Sequence, residues 1–149
     1  MPTVSKERPM TMIFVNLPVT DLPRAIAFYE AVGCTVNPDF SDEKAACLTI
    51  EEGHSAFMLL VRDFFQSFTD QPLGDPARTV SAITAVDLPS RAAVDAAAEA
   101  GLAAGGTEAR PPTDHGFVYQ RQLTDPDGNV IEVGHMDPAF MPHGSDAAS

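Results

Sequence analysis

The chain of 149 residues has no tryptophan, two cysteines, nine Lys and Arg residues against 21 Asp and Glu, and no apolar run of membrane-spanning length. The last three scarcities each remove a class of function. Without the ~20 consecutive apolar residues of a bilayer crossing, and with no hydrophobic segment in residues 1–8 to act as a signal peptide, the expectation is a cytoplasmic protein with no membrane partner. A formal net charge of −12 with no basic run argues against nucleic acid and anionic lipid surfaces. Cys34 and Cys47 lack CxxC spacing and sit in apolar strand-like stretches, which predicts buried free thiols and neither a disulfide nor a nucleophile.

What is present is an imperfect internal copy. Val15-Asn16-Leu17-Pro18-Val19-Thr20-Asp21-Leu22-Pro23 reads as a strand ending in Asp-Leu-Pro, followed by a helical stretch running to Gly33. Ser81-Ala82-Ile83-Thr84-Ala85-Val86-Asp87-Leu88-Pro89 repeats the pattern, with a second helical stretch running to Gly101. In each copy the Asp is suited to the N-cap, the Pro to the first turn and the Gly to the C-cap. A repeat of this period constrains the fold more than a single motif does. It predicts an α+β protein of two βαβββ modules in tandem, forming a concave mixed sheet with helices on the outer face. The first module covers residues 10–61, a Pro- and Gly-containing linker 62–78, the second module 79–137, and a loose tail 138–149. The linker aromatics Phe64, Phe65 and Phe68 are expected to pack under the sheet or at a subunit interface, and His143 in the tail has no assigned role.

Near the end, Asp125-Pro126-Asp127-Gly128-Asn129 is a dense cluster of turn formers and predicts a hairpin. Beyond it, Val130-Ile131-Glu132-Val133 places one carboxylate in a β-branched strand. Strand parity sorts the faces: Ile13, Val15, Leu17, Val19, Phe57, Leu59, Ile131 and Val133 toward the helices, and Phe14, Asn16, Met58, Leu60 and Glu132 toward the concavity. In the strand before the hairpin, Gln120 and Gln122 share the concave side with Glu132, and Arg121 is expected as an exposed ion-pair partner or at the rim. His135 falls opposite Glu132, and His54 in a polar turn. The stretch Pro111 to Phe117, with Asp114, His115 and Gly116, reads as a loop that could close over a site.

The repeat, the Asp-Leu-Pro-x-x-Ala-x-x-Phe-Tyr opening of the first helix and the Asp-Pro-Asp-Gly-Asn-x-Ile-Glu ending together resemble the vicinal-oxygen-chelate superfamily, which includes glyoxalase I, extradiol dioxygenases, fosfomycin-resistance transferases and bleomycin-resistance proteins. The resemblance spans roughly residues 10–137. It implies metal ligands on the first and last strands of each module, positions that fall here on Phe14, Met58, Ser81 (or, with a one-residue slip, Val80) and Glu132. Glu132 alone is a ligand type, whereas a catalytic divalent cation takes about three protein ligands. The expectation is therefore a protein that binds a small organic molecule without a catalytic metal, a divalent metal being the lesser alternative. Glu132 and His115 are its candidate catalytic groups, and Phe14, Asn16, Met58, Ser81, Gln120 and Gln122 its candidate ligand-binding residues. The competing expectation is a glyoxalase-type lyase or isomerase, or a transferase, in which Glu132 acts as base or metal ligand. Relatives of this kind pair or swap modules between chains, which implies a homodimer.

Overall fold

The structure, a computed structural model, describes residues 11–140. The chain divides into two compact units that meet between Leu73 and Gly74.

In the first unit β1 (Ile13–Val19) leads to α1 (Leu22–Ala31), then β2 (Thr35–Asn37), β3 (Ala45–Glu51), β4 (Ser55–Val61) and a short α2 (Arg62–Gln66). The sheet order is β1-β4-β3-β2, with β1 parallel to β4 and the remaining pairs antiparallel. Asp21 caps α1, its carboxylate accepting the Arg24 N–H at 3.1 Å, and Gly33 takes a φ of 115° just past the helix end. Leu22, Ala25, Phe28 and Tyr29 form the buried stripe of α1. Tyr29 meets Phe57 of β4 at a ring-centroid distance of 4.9 Å, so the helix lies on the face carrying Phe57, Leu59 and Leu48, all of them buried. Each such side chain contributes about 1.5–3 kcal/mol by leaving water. Cys47 is buried; Cys34 is half-buried, and desolvation pushes its thiol up to about 12. His54 sits exposed at the β3–β4 turn beside Ser55.

The second unit has the same order: β5 (Ile83–Asp87), α3 (Arg91–Ala103), β6 (Thr107–Asp114), β7 (Val118–Thr124) and β8 (Val130–Met136), in a sheet ordered β5-β8-β7-β6. A 3₁₀ turn at Pro138–Phe140 follows, which replaces the first part of the expected loose tail; His143 lies outside the described residues. Val94 and Ala98 of α3 are buried, as are Leu123, Ile131 and Val133 of the sheet.

Three local expectations are corrected here. The cap of α3 is Ser90, whose hydroxyl accepts the Ala93 N–H at 3.0 Å. Asp87 instead ends β5 and accepts the Met136 N–H at 2.9 Å, tying β5 to β8. Gly101 is buried inside the helix, and Gly105, with φ 103°, follows its end. Finally, Pro111 and Pro112 do not open a loop. They lie within β6, the edge strand, where the register shifts between Arg110 and Thr113 and a missing N–H is tolerated.

The β7–β8 turn is built on Asp125, which is 3% exposed. Its Oδ1 accepts the N–H groups of Asp127 and Asn129, both at 2.9 Å, and its Oδ2 accepts the Asn129 side-chain amide at 3.0 Å. Gly128 has φ 101°, and a Cβ there would stand 2.7 Å from the Ala77 Cα. Gly128→Ala combines backbone strain with a clash against main chain and should lower stability by about 2 kcal/mol or more. Gly53→Ala, at φ 71° but in open space, should lose about half as much in urea unfolding.

Candidate functional site

Pairing across the second sheet sets one row as Ala85, Glu132, Gln122, Arg110 and the next as Asp87, Gly134, Gln120, Thr113. These rows occupy the face away from α3. The expected parity holds for Glu132, Gln120 and Gln122, which lie half-buried around a cleft of about 220 Å³. Gln120 Nε2 donates to Glu132 Oε1 at 3.0 Å, and Gln122 Nε2 to Glu132 Oε2 at 3.4 Å. Both carboxylate oxygens therefore receive an amide, which offsets the cost of drawing the charge partly out of water. Gly134 makes room for this: a Cβ there would come within 3.1 Å of Gln120 Cγ.

Arg110, Pro111, Thr113 and His115 complete the lining. Arg110 was missed from sequence because the proline pair reads as a strand end. The usable signal was that a residue preceding Pro is held extended, so Arg110 could stay in the row opposite Gln122. His115 is brought to the cleft, though not by a closing loop. It sits in a tight β6–β7 turn, its N–H donating to the Val118 carbonyl at 2.9 Å, with its ring stacked on Phe117 at 6.4 Å. Arg91 of α3 holds that turn through two bonds to Asp114, at 2.6 and 2.9 Å.

Ser81, Phe14, Asn16 and Met58 do not line this cleft. Ser81 precedes β5, which begins at Ile83, so it occupies no strand position, and Ala85 is the residue beside Glu132. Asn16 and Met58 are paired across β1 and β4 in the first unit, and Phe14 on the same face is 50% exposed. Asn16 lines a separate cleft of about 370 Å³ with Leu60, Phe65, Phe68 and Thr69; Phe14 and Met58 do not line it. His135 lies on the opposite face from Glu132, its Nδ1 2.8 Å from the Leu88 carbonyl.

Arg121 is neither exposed nor at the rim. It is 7% exposed on the α3 side, where its guanidinium meets Glu108 at 2.9 Å, Glu99 at 2.7 Å and Asp95 at 3.2 Å. Tyr119 adds a hydroxyl to Asp95 at 2.6 Å. An arginine in this apolar row is tolerated because three carboxylates, remote from it in sequence, converge there. The network fixes β7 from behind while Gln120 and Gln122 project from its other side.

Among the described residues no three His, Cys, Asp or Glu side chains gather where they could hold a metal ion. Within the second unit, the cleft around Glu132 holds one other ligand type, His115, and its remaining polar groups are two amides, a hydroxyl and an arginine, short of the about three protein ligands a catalytic cation takes. No helix among these residues is long and apolar enough to cross a membrane.

Residues 11–133 match the Glyoxalase/Bleomycin resistance protein/Dioxygenase superfamily, and the chain belongs to that family. Comparison with curated proteins returns no match. Among solved structures, the chain resembles a glyoxalase/bleomycin resistance protein from Albidiferax ferrireducens (25% identity, TM-score 0.62, covering 82% of this chain and 95% of the other). It also resembles a glyoxalase-related enzyme from Fulvimarina pelagi (21%, 0.72, 91% and 94%). A third is TnmS3, an antibiotic binding protein from a Streptomyces species (21%, 0.57, 85% and 96%). The two matches below 25% identity speak to the fold.

The charge network has a pH signature. Arg91, then the Gly116 N–H, hold the Asp114 carboxyl down at about 2, and Tyr119 and Arg121 hold Asp95 below its usual range. Depressed carboxyls bind protons less well folded than unfolded, so their stabilisation is complete above about pH 4 and fades as pH falls. For Asp114 the loss runs down to about pH 2. Arg91→Gln should flatten the dependence of urea-unfolding stability on pH across that window. Equal slopes in both proteins would contradict the assignment.

Proposed function

We propose that this protein binds a small organic molecule at the Glu132 cleft of the second sheet, without a resident catalytic metal. The observation that carries this reading is the Glu132 carboxylate itself, half-buried in the lining of a cleft and held by two glutamine amides. A surface glutamate has no need of such support, and half-buried charges held by hydrogen bonds recur at ligand sites. The likeness to an antibiotic binding protein is consistent with a binding role. A second reading, a lyase, isomerase or transferase in which Glu132 takes a proton from the bound ligand, draws on the fact that each carboxylate oxygen retains acceptor capacity beyond its one amide. Chemical change of the ligand on incubation would select that reading.

The same proposal places the protein in the cytoplasm as a homodimer. In support of association, Ile13 and Phe14 on edge strand β1 and Ile83 on edge strand β5 are large apolar side chains at least half exposed. Light scattering at micromolar concentration should give twice the chain mass, and a monomer would remove the dimer from the account.

Glu132→Gln keeps the side-chain shape and should leave stability within about 1 kcal/mol, while a ligand found by screening should bind about tenfold or more weakly for want of a charge-assisted bond. Unchanged affinity in calorimetry would refute the role of Glu132.

A further inference from the structure

Resting on the binding role of the Glu132 cleft, the geometry points to a ligand class: a short carboxylate that also carries a hydroxyl or amino group. In the row Glu132, Gln122, Arg110, opposite charges stand on the same face two strands apart. Strands lie about 4.8 Å apart, so the two Cα atoms are separated by roughly 10 Å. Side chains of this length could meet across that gap. They do not: Glu132 is occupied by Gln120 and Gln122, and among the described residues Arg110 makes no ion pair.

The cleft thus offers two unlike ends. At one, Arg110 presents a planar fork of donors suited to a carboxylate, and Thr113 of the same strand adds a hydroxyl to the lining. At the other, Glu132 presents remaining acceptor capacity, suited to an O–H or N–H donor. The net charge of −12 opposes an anion at long range, but salt screens that field beyond about 8 Å, and a guanidinium in contact outweighs it. At about 220 Å³ the cleft is smaller than the roughly 300 Å³ at which drug-sized sites begin, which favours fragment-sized molecules.

The test titrates the full-length protein by calorimetry with a panel of short hydroxy- and amino-carboxylic acids, beginning with para-hydroxyphenylacetate. Each acid is paired with its methyl ester and with its analogue lacking the hydroxyl or amino group. Wild type should prefer the best acid to its ester by about tenfold or more, and Arg110→Gln should erase that preference. Glu132→Gln should reduce the preference for the hydroxyl- or amino-bearing member by about tenfold while keeping the preference for acid over ester. Acids and esters binding alike, or no panel member binding, overturns the ligand class. If they bind alike while Glu132→Gln still weakens binding, the cleft stands as the site and only the class is wrong. Binding indifferent to both substitutions overturns the site as well.

Discussion

The register of β7 against β8 is the constraint on which the candidate site depends. Gln122 stands opposite Glu132 and Gln120 opposite Gly134, so two amides and one carboxylate meet on one face. A slip of one residue in β8 would send Glu132 to the helix side, away from both amides, and the same slip in β7 would bring Arg121 out of its pocket of carboxylates. The Asp125 turn sets this register. Its buried carboxylate gathers two backbone N–H groups and one side-chain amide within five residues, and Gly128 accepts a φ and a close approach to Ala77 that a Cβ would forbid. Chemistry on the open face is thereby tied to a turn that takes no part in it.

The two faces of the second sheet carry charge by different rules. On the α3 side, Arg121 is buried and surrounded by three acidic partners, an arrangement that serves rigidity and is costly to break from one side. On the open side, Glu132 is only half-buried and its partners are neutral amides, while Arg110 stands apart. Charges that are internally satisfied on one face and incompletely satisfied on the other are what a scaffold with a binding face requires. The first unit repeats the strand and helix order but not this chemistry: its corresponding face bears Phe14, Asn16, Met58 and Leu60.

Much of the architecture was legible in the sequence because it rests on local rules. The repeated Asp-Leu-Pro marks the strand-to-helix passages, and strict alternation assigns Glu132, Gln120 and Gln122 to one face. The failures share a different origin. Ser90 displaced Asp87 as the cap because Asp87 is recruited by Met136, 49 residues away. Arg121 looked like a surface residue because Asp95, Glu99 and Glu108 come together only in the folded unit. Arg110 was passed over because a proline pair ordinarily ends a strand, and only its place at the sheet edge makes the pair acceptable. Ser81 stands outside β5, which begins two residues later, so alternation along that strand does not carry it into the site. Residues whose role depends on long-range partners were thus the ones hidden, while those set by alternation within a strand were not.

The proposed ligand site is the cleft around Glu132. It is tested most directly by nitrogen-15 NMR of the Gln120 and Gln122 side-chain amides during titration with a ligand obtained by screening, because both amides donate to the carboxylate that would be engaged. Binding there predicts saturable shifts of both signals, at one common dissociation constant matching that from calorimetry. Saturated binding with both amide signals unmoved would contradict it.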